Sequence, residues 1–383
     1  MKGLILITGG TGFVGSHIIQ HALDAGFPVR AVARPGKASV IQAMNPNSSG
    51  LEVVEVTDLA DGDFTDALKG ELTFLNICDN PGRTKDVILG VEAVIHCAAP
   101  SFADPTTPSL VVWKGAYDGT VHLIEQSLKA GIKKFIYTGT FMNLFGDNGK
   151  SAFGAELVGP SDWNMIKQED VHMKDDNPAG PVMAYLGAKV LAERKMWEFA
   201  EANPQVDFTS GILLPPYSHT DIEKLKLLVI PSGIYGPFAN NFSRPSNIPG
   251  LSTNQFIYML LNGGPEGPNT YPPIFVGHTV DVRDVAKVHI LALSADSLPN
   301  KQQKRFILSE GVHKWPEVAD MVRERRPELA PRMPGKDAVP PTQTEAPLDT
   351  SLAQKLLGFE YRQWEEMFLT GIDECLKWEA SRV

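Results

Sequence analysis

The stretch ILITGGTGFVGSHII, residues 5–19, decides how the rest of the chain is read. Four apolar residues, Leu4 to Ile7, run into Thr8-Gly9-Gly10-Thr11-Gly12-Phe13-Val14-Gly15, and an apolar pattern of helical period follows. Glycine costs conformational entropy wherever another residue would serve, so this density implies that something approaches the backbone closely. Gly9, Gly12 and Gly15 form G-x-x-G-x-x-G between an expected strand and an expected helix, the context in which such a motif is informative. One glycine permits the tight turn, another lets the backbone meet a pyrophosphate, and the third lets the helix pack closely on the sheet. The helix N-terminus then offers free N–H groups to the phosphates. A dinucleotide is the expected ligand, with Thr8, Gly9, Thr11, Gly12, Phe13, Val14 and Gly15 around it.

Outward from this loop, residues 3–140 alternate short apolar runs with amphipathic stretches: GLILIT, SHIIQHALDAG, PVRAVAR, LEVVEV, VEAVIHCAA, GTVHLIEQSLKAG and KKFIYTGT. Such alternation implies an α/β protein with a parallel sheet wound on both faces. A further helix is expected over 183–202, a buried strand at 227–231 (LLVIP), and a strand at 306–310 (FILSE) that returns to the main sheet. Residues 232–273 are dense in Pro, Gly and Asn, and 327–347 in Pro, which suits an irregular cap rather than sheet core.

Composition bounds the function classes. The chain of 383 residues is 43% hydrophobic and 21% charged, with no run long enough to span a bilayer. A net charge of -10 disfavours a nucleic-acid or anionic-membrane surface, because both require a concentrated basic patch. Cys78, Cys97 and Cys375 share no metal-ligand spacing, and an odd, sparse count argues against a disulfide framework. A soluble protein of the reducing cytoplasm is expected, with no metal.

The end of the second expected strand selects the dinucleotide. An NAD site carries an acid there, and an NADP site a cation. The segment VRAVARPGKAS holds Arg34 and Lys37 and no acid, and a guanidinium binds a 2′-phosphate with paired hydrogen bonds. NADPH is therefore favoured, with Asp58 and Leu59, in EVTDLAD, near the adenine. Tyr185 and Lys189, in AYLGAK, stand four residues apart on an expected helix and share one face. A neighbouring ammonium stabilises phenolate, which makes a tyrosine usable as a general acid. Thr138 and Thr140 end the strand KKFIYTGT, where a hydroxyl could meet a substrate oxygen.

Together these residues resemble the extended short-chain dehydrogenase/reductase family, and within it the dihydroflavonol-4-reductase, cinnamoyl-CoA reductase and fungal carbonyl reductase branch. The matching pieces are TGGTGFVGSHI, ARPGK, VEAVIHCAAP, Gly119-Thr120, KKFIYTGT, SDWN at 161–164, AYLGAK, IPSGIYGP, VDVRDVAKVH at 280–289 and KLLGFEYR at 355–362. The resemblance implies a Rossmann-type NADP-binding domain over 1–230, to which 276–310 returns. It implies a smaller C-terminal α/β substrate domain over 231–275 and 311–383. The implied activity is NADPH-dependent hydride transfer to an aldehyde or ketone, in a monomer or homodimer. By position, Tyr185 is the proton donor, Lys189 holds the nicotinamide ribose, and Thr140 replaces the usual catalytic serine. Ala98 and Ala99 line the phosphates or ribose, Pro231 and Ser232 abut the nicotinamide, and Phe102, Phe141, Met142 and Ile234 wall a substrate pocket.

The chain departs from the family in places. Thr138-Gly139-Thr140 stands for T-S-S, and the asparagine expected before Gly119-Thr120 is missing from WKGAYDGT. Residues 71–90 and about 210–226 can each be excised to leave a continuous family-like stretch, and read as late additions or translated non-coding sequence. His96 and Cys97 read as packed and non-catalytic, and Asp281, Arg283 and Asp284 as a structural charge network. Competing readings are a nucleotide-sugar epimerase or dehydratase, against which Arg34 and Lys37 argue, and a non-catalytic NADP-sensing regulator, which has no need of an activated phenol.

Overall fold

Every residue of the first strand, Leu4–Thr8, is buried, the mark of a strand covered on both faces. The computed structural model describes residues 2–46, 48–69, 71–72, 88–100, 107–146, 154–171, 180–213, 232–243, 245–263, 267, 269–272, 277–296, 298, 302–341 and 345–382. Its strands are β1 (Leu4–Thr8), β2 (Val29–Ala33), β3 (Leu51–Glu55), β4 (Val91–His96), β5 (Lys134–Thr140), β6 (Asp207–Leu213), β7 (Ser232–Tyr235), β8 (Gly277–Asp281), β9 (Lys304–Ile307) and β10 (Gly311–His313). The central sheet has seven strands in the order β9-β6-β5-β4-β1-β2-β3, and every pairing in it is parallel. It is the Rossmann-type doubly wound sheet expected. Strand order reverses beside β1, and ligands bind at the carboxyl ends there.

Alternation along β1 explains the two covered faces. Ile5 and Ile7 join a cluster with Ile18 and Ile19 of α1 (Phe13–Asp24) and with Val285 and Val288 of α7 (Val282–Ala292). Leu4 and Leu6 join Leu123 and Ile124 of α4 (Gly119–Lys129) and Met196 of α5 (Gly180–Ala202) on the other side. A smaller sheet, β10-β8-β7, adjoins a third core of Tyr235, Phe256, Trp315 and Phe368.

Two sequence expectations shift, and a third falls outside the described residues. The run at 227–231 lies outside the described residues. The sheet position beyond β5 belongs to Asp207–Leu213, whose Gly211 and Ile212 pair with Thr138 and Gly139 on one side and with Phe306 and Ile307 on the other. Residues 210–213 of the second supposed insertion are thus central strand, while 214–226 lie outside the described residues. In the first, residues 71–72 pair with 88–89, and 73–87 lie outside the described residues. Finally, β8 belongs to the smaller sheet, so within 276–310 it is α7, packed on α1, and β9 that associate with the large one.

The SDWN segment acquires a structural explanation. Arg305 on β9 and Glu193 on α5 are both fully buried and joined at 2.8 Å. Arg305 also donates to the carbonyl oxygens of Pro160 (2.7 Å) and Asp162 (2.6 Å) and lies 3.6 Å over the ring of Trp163. Glu193 accepts further hydrogen bonds from Asn143 and from Trp197 Nε1. One ion pair therefore ties the sheet edge, the long helix and the 160–163 loop together.

Candidate active site

The turn after β1 is shaped by glycine. Gly9 has φ +83°, and a Cβ there would come within 2.7 Å of the Ala98 backbone nitrogen. At Gly15 a Cβ would meet the Gly9 carbonyl oxygen at 2.1 Å, so the first turn of α1 can approach β1 only without a side chain. Gly12 precedes α1 with no side-chain cap on the helix N–H groups. Donors left open in this way suit an anion. Gly15→Ala should separate helix from strand and lower the stability by about 1–3 kcal/mol, read as a fall in the chemical denaturation midpoint; an unchanged midpoint would show that the turn can yield.

Thr8 closes β1 with a defined hydrogen-bond chain. The Thr120 hydroxyl donates to the Ala116 carbonyl at 2.7 Å, so it accepts from His96 Nε2 at 3.0 Å. His96 Nδ1 then accepts from the Thr8 hydroxyl at 2.7 Å, and Thr8 Oγ1 accepts from Ala98 N at 3.3 Å. Burial, reinforced by the charge of Lys189, lowers the His96 pKa to about 3. The neutral ring is a brace between β1, β4 and α4, in line with the packed role read from the sequence.

A cleft of about 870 Å³ opens at the carboxyl ends of these strands. It is lined by the expected Thr8, Gly9, Thr11, Gly12, Phe13, Val14, Gly15, Arg34, Lys37, Asp58, Leu59, Ala98, Ala99, Tyr185, Lys189 and Ile234. Arg34 and Lys37 are exposed at the two ends of a turn closed by a 2.9 Å hydrogen bond, and neither is in an ion pair with a described carboxylate. Asp58 also shapes its own turn, accepting from Ala60 N at 2.7 Å.

Other expected residues lie elsewhere. Phe102 and Pro231 are outside the described residues, and of Ser232 only the backbone, paired with β8, is described. Phe141 and Met142 are buried in an apolar cluster, against which Tyr185 packs, and do not line the cleft. Thr140 is buried too, its oxygen accepting from Met142 N at 3.4 Å. Asp281 and Arg283 pair at 2.6 Å, with Arg283 reaching Glu366 at 2.9 Å, and Asp284 accepts from the backbone of Arg362. They form the charge network read from the sequence.

The cleft also takes in residues the sequence did not assign to it, among them Cys97, Val111, Lys114, Gly115 and Asp61. Lys114 and Asp61 face each other at 3.5 Å. Their signal was Gly115, beside the Gly119-Thr120 pair in WKGAYDGT. A π-helical turn, Lys114–Asp118, connects α3 (Ser109–Trp113) to α4, so simple helical spacing does not reveal which side chains face inward.

At the far wall, Lys189 Nζ donates to the Thr138 carbonyl at 2.6 Å and lies 4.1 Å over the Tyr137 ring. Burial lowers its pKa to about 8, opposed by Cys97 and Glu193. Half-buried Tyr185 has its phenol raised well above the ordinary value, by burial first and by Cys97 second. It is a protonated phenol at neutral pH. His289 Nδ1 donates to the Val285 carbonyl at 2.8 Å, which leaves Nε2 to accept from the Thr138 hydroxyl at 2.9 Å. The Thr138 proton is committed, whereas among the described residues the Thr140 oxygen only accepts, which leaves its proton to donate.

A doubly wound parallel sheet, a glycine turn at its switch point and a helical Tyr-Lys pair across the same cleft define a dinucleotide-binding protein of the short-chain dehydrogenase/reductase type. The model of the NAD dependent epimerase/dehydratase family matches residues 5–235, and the chain belongs to that family. It is 25% identical to the NADPH-dependent methylglyoxal reductase GRE2 of Saccharomyces cerevisiae, over 98% of this chain and 99% of that protein. It is 27% identical to the ketoreductase azaE of Aspergillus niger, over 94% of this chain and 93% of that protein. The crystal structure of yeast methylglyoxal/isovaleraldehyde reductase Gre2 complexed with NADPH has the same fold, with a TM-score of 0.74 at 23% identity, covering 98% of this chain and 99% of that one.

Proposed function

We propose that this protein is an NADPH-dependent reductase that transfers a hydride to an aldehyde or ketone carbonyl. The observation that carries the reading is a single cleft lined at once by the glycine turn, by Arg34 and Lys37, and by Tyr185 and Lys189. The residues fit the cofactor: Gly9 and Gly15 leave no room for a Cβ, and α1 has no side-chain cap. The glycine turn would hold the pyrophosphate, Arg34 and Lys37 the 2′-phosphate, and Asp58 with Leu59 the adenine. Ala98 and Ala99 would flank the phosphates or ribose, and Pro231 and Ser232 the nicotinamide. When bound, NADPH supplies the hydride.

The chain's own groups handle the proton. Tyr185 gives its phenolic proton to the oxygen of the reduced carbonyl. Lys189 holds the nicotinamide ribose and stabilises the phenolate that forms, and Thr140, buried directly after the cleft-lining Thr138 and Gly139, donates to the substrate oxygen. The same reading divides the chain into an NADP-binding part, 1–230 with α7 and β9 from 276–310, and a substrate-binding part, 231–275 with 311–383, to which β8 is joined through the smaller sheet. It has the protein working in the cytoplasm as a monomer or homodimer. Among the described residues no helix is long and apolar enough to cross a membrane.

Mixing the protein with NADPH and a panel of aldehydes and ketones, and following nicotinamide absorbance, tests the activity; no oxidation with any of them would overturn it. Arg34→Asp should weaken NADPH binding by about 10- to 100-fold, the loss of charged hydrogen bonds to a phosphate, and turn the preference towards NADH. Titration of both cofactors checks this, and unchanged NADPH affinity would move the 2′-phosphate elsewhere. A pH dependence follows from Lys189. With a pKa of about 8, its ammonium is lost as pH rises through that value, so kcat/KM should fall on the alkaline side of about 8. Lys189→Arg, which stays charged, should move that limb upward, and a limb that stays in place would assign it to another group.

A further inference from the structure

We propose that Tyr137 is a positioning residue for the reaction: the face of its ring is the counter-charge that keeps the buried Lys189 ammonium charged and in place. The inference rests on the reductase reading above and adds to it how the lysine stays a cation inside the protein.

The two side chains grip each other at both ends. Lys189 Nζ lies 4.1 Å from the centroid of the Tyr137 ring, well within the reach over which an aromatic face attracts a cation. The Tyr137 hydroxyl in turn donates to the Lys189 backbone carbonyl at 3.4 Å. Alternation along β5 sends Phe135 and Tyr137 into the core beneath α4 and α5, and the His96 ring stacks on Tyr137 at 6.0 Å with 30° between the planes. The ring is therefore fixed where the ammonium meets it. Tyr137 is fully buried and Lys189 is 3% exposed, so the contact is made out of water, where it is strongest.

A buried ammonium needs a partner of opposite charge or gives up its proton. The other titratable groups facing Lys189 among the described residues are neutral or already engaged. Glu193, one turn further along α5, is joined to Arg305 at 2.8 Å and accepts from Asn143 and Trp197. Cys97, just past β4, is held as a neutral thiol by burial. Tyr185 on α5 is a neutral phenol and His96 on β4 a neutral imidazole, each through burial. The Thr138 carbonyl takes one ammonium proton at 2.6 Å, as a dipole without net charge. A ring face also suits the chemistry better than a carboxylate would. It holds the cation by its quadrupole and carries no net charge, so the field of Lys189 reaches the phenolate forming on Tyr185 without being cancelled.

The test follows Lys189 directly, through the Nζ resonance of protein carrying isotope-labelled lysine, assigned by its absence from Lys189→Met. Tyr137→Leu should titrate about one pH unit below the wild type, the tenfold expected of a desolvated ring contact. Tyr137→Phe keeps the face and should titrate with the wild type. Tyr137→trifluorophenylalanine fills the same space while fluorine draws charge from the face, so it should titrate below Tyr137→Phe; it decides the matter if Tyr137→Leu does not fold. A titration common to all these proteins overturns the proposal, as does a Tyr137→Phe shifted as far as Tyr137→Leu, which would credit the hydroxyl. In turnover, the alkaline limb of kcat/KM should move down in Tyr137→Leu and stay in place in Tyr137→Phe. A loss in Tyr137→Leu that is equal at every pH, with the limb unmoved, would mark a merely structural role and overturn the proposal. If the wild type oxidises NADPH with no aldehyde or ketone, the reductase reading fails on its own, and the resonance still decides whether the ring holds the charge.

Discussion

Tyr185→Phe is expected to bind NADPH almost as tightly as the wild type and to lose about a hundred- to ten-thousandfold in turnover, the contribution of a positioned general acid. The separation of the two effects follows from where the side chain lies. Its ring packs against the cluster of Phe141, Ala184 and Val190, contacts that phenylalanine keeps. Only the transferable proton goes. Because burial holds the phenol well above its ordinary value, that proton is present at neutral pH and leaves only as negative charge on the reduced carbonyl draws it away. NADPH titration and steady-state turnover of both proteins decide the matter; comparable turnover would remove Tyr185 from the chemistry, and a large loss of NADPH affinity would mean that the hydroxyl serves the cofactor instead.

Glu193→Ala, on α5, should destabilise the protein by about 3–5 kcal/mol, because it leaves a buried guanidinium without its counter-charge. Arg305 has no route to water, and its neighbours are two carbonyls and an indole ring. Burial opposes the charge on Glu193, but Arg305 and the hydrogen bonds from Arg305, Asn143 and Trp197 outweigh it and keep the carboxyl below its ordinary value. The pair's contribution is therefore present above the unfolded carboxylate pKa and is lost as pH falls through the folded one. Equilibrium denaturation of the wild type and the variant gives the number. A change under about 1 kcal/mol, the range of an exposed pair, would contradict the burial argument, whereas replacing both residues together with apolar ones should recover much of the loss.

Much of this was legible because short-range physics wrote it. The glycine turn is readable since no other residue fits at Gly9 and Gly15, and Tyr185 with Lys189 since four residues make one helical turn. Arg34 and Lys37 follow a strand end, where a cation has few structural duties. The strand at Asp207–Leu213 was not legible: TSGIL is a short apolar run, and periodicity alone cannot show that such a run enters a central strand. Thr138 and Thr140 share a face by alternation; what separates them is the distant His289, which takes the proton of the first. Arg305 in KRFIL carries no sequence signal of its role because its partner, Glu193, is 112 residues away. Phe141 and Met142 were assigned to a pocket wall from their place after the strand, but a 3-10 turn there, Phe141–Asn143, turns them into the core.

The wide turn at Lys114–Asp118 has a bearing on how such a protein can diversify. A π-turn holds one residue more than the α-helix would, so it acts as a phase joint between two surfaces that would otherwise be locked together. Downstream, Thr120 is fixed to His96 and hence to the nucleotide end of the cleft. Upstream, Leu110 and Val111 stand largely in solvent, and Val111 borders the cleft. Deleting a single residue from the joint would return it to regular helix and leave the two flanking halves in nearly the same relation, because the extra residue is taken up within the one wide turn. Only the joint's own residues, Lys114 and Gly115 at the cleft among them, would change place. One indel could in this way redraw the chemistry admitted at the mouth without disturbing the machinery beneath it.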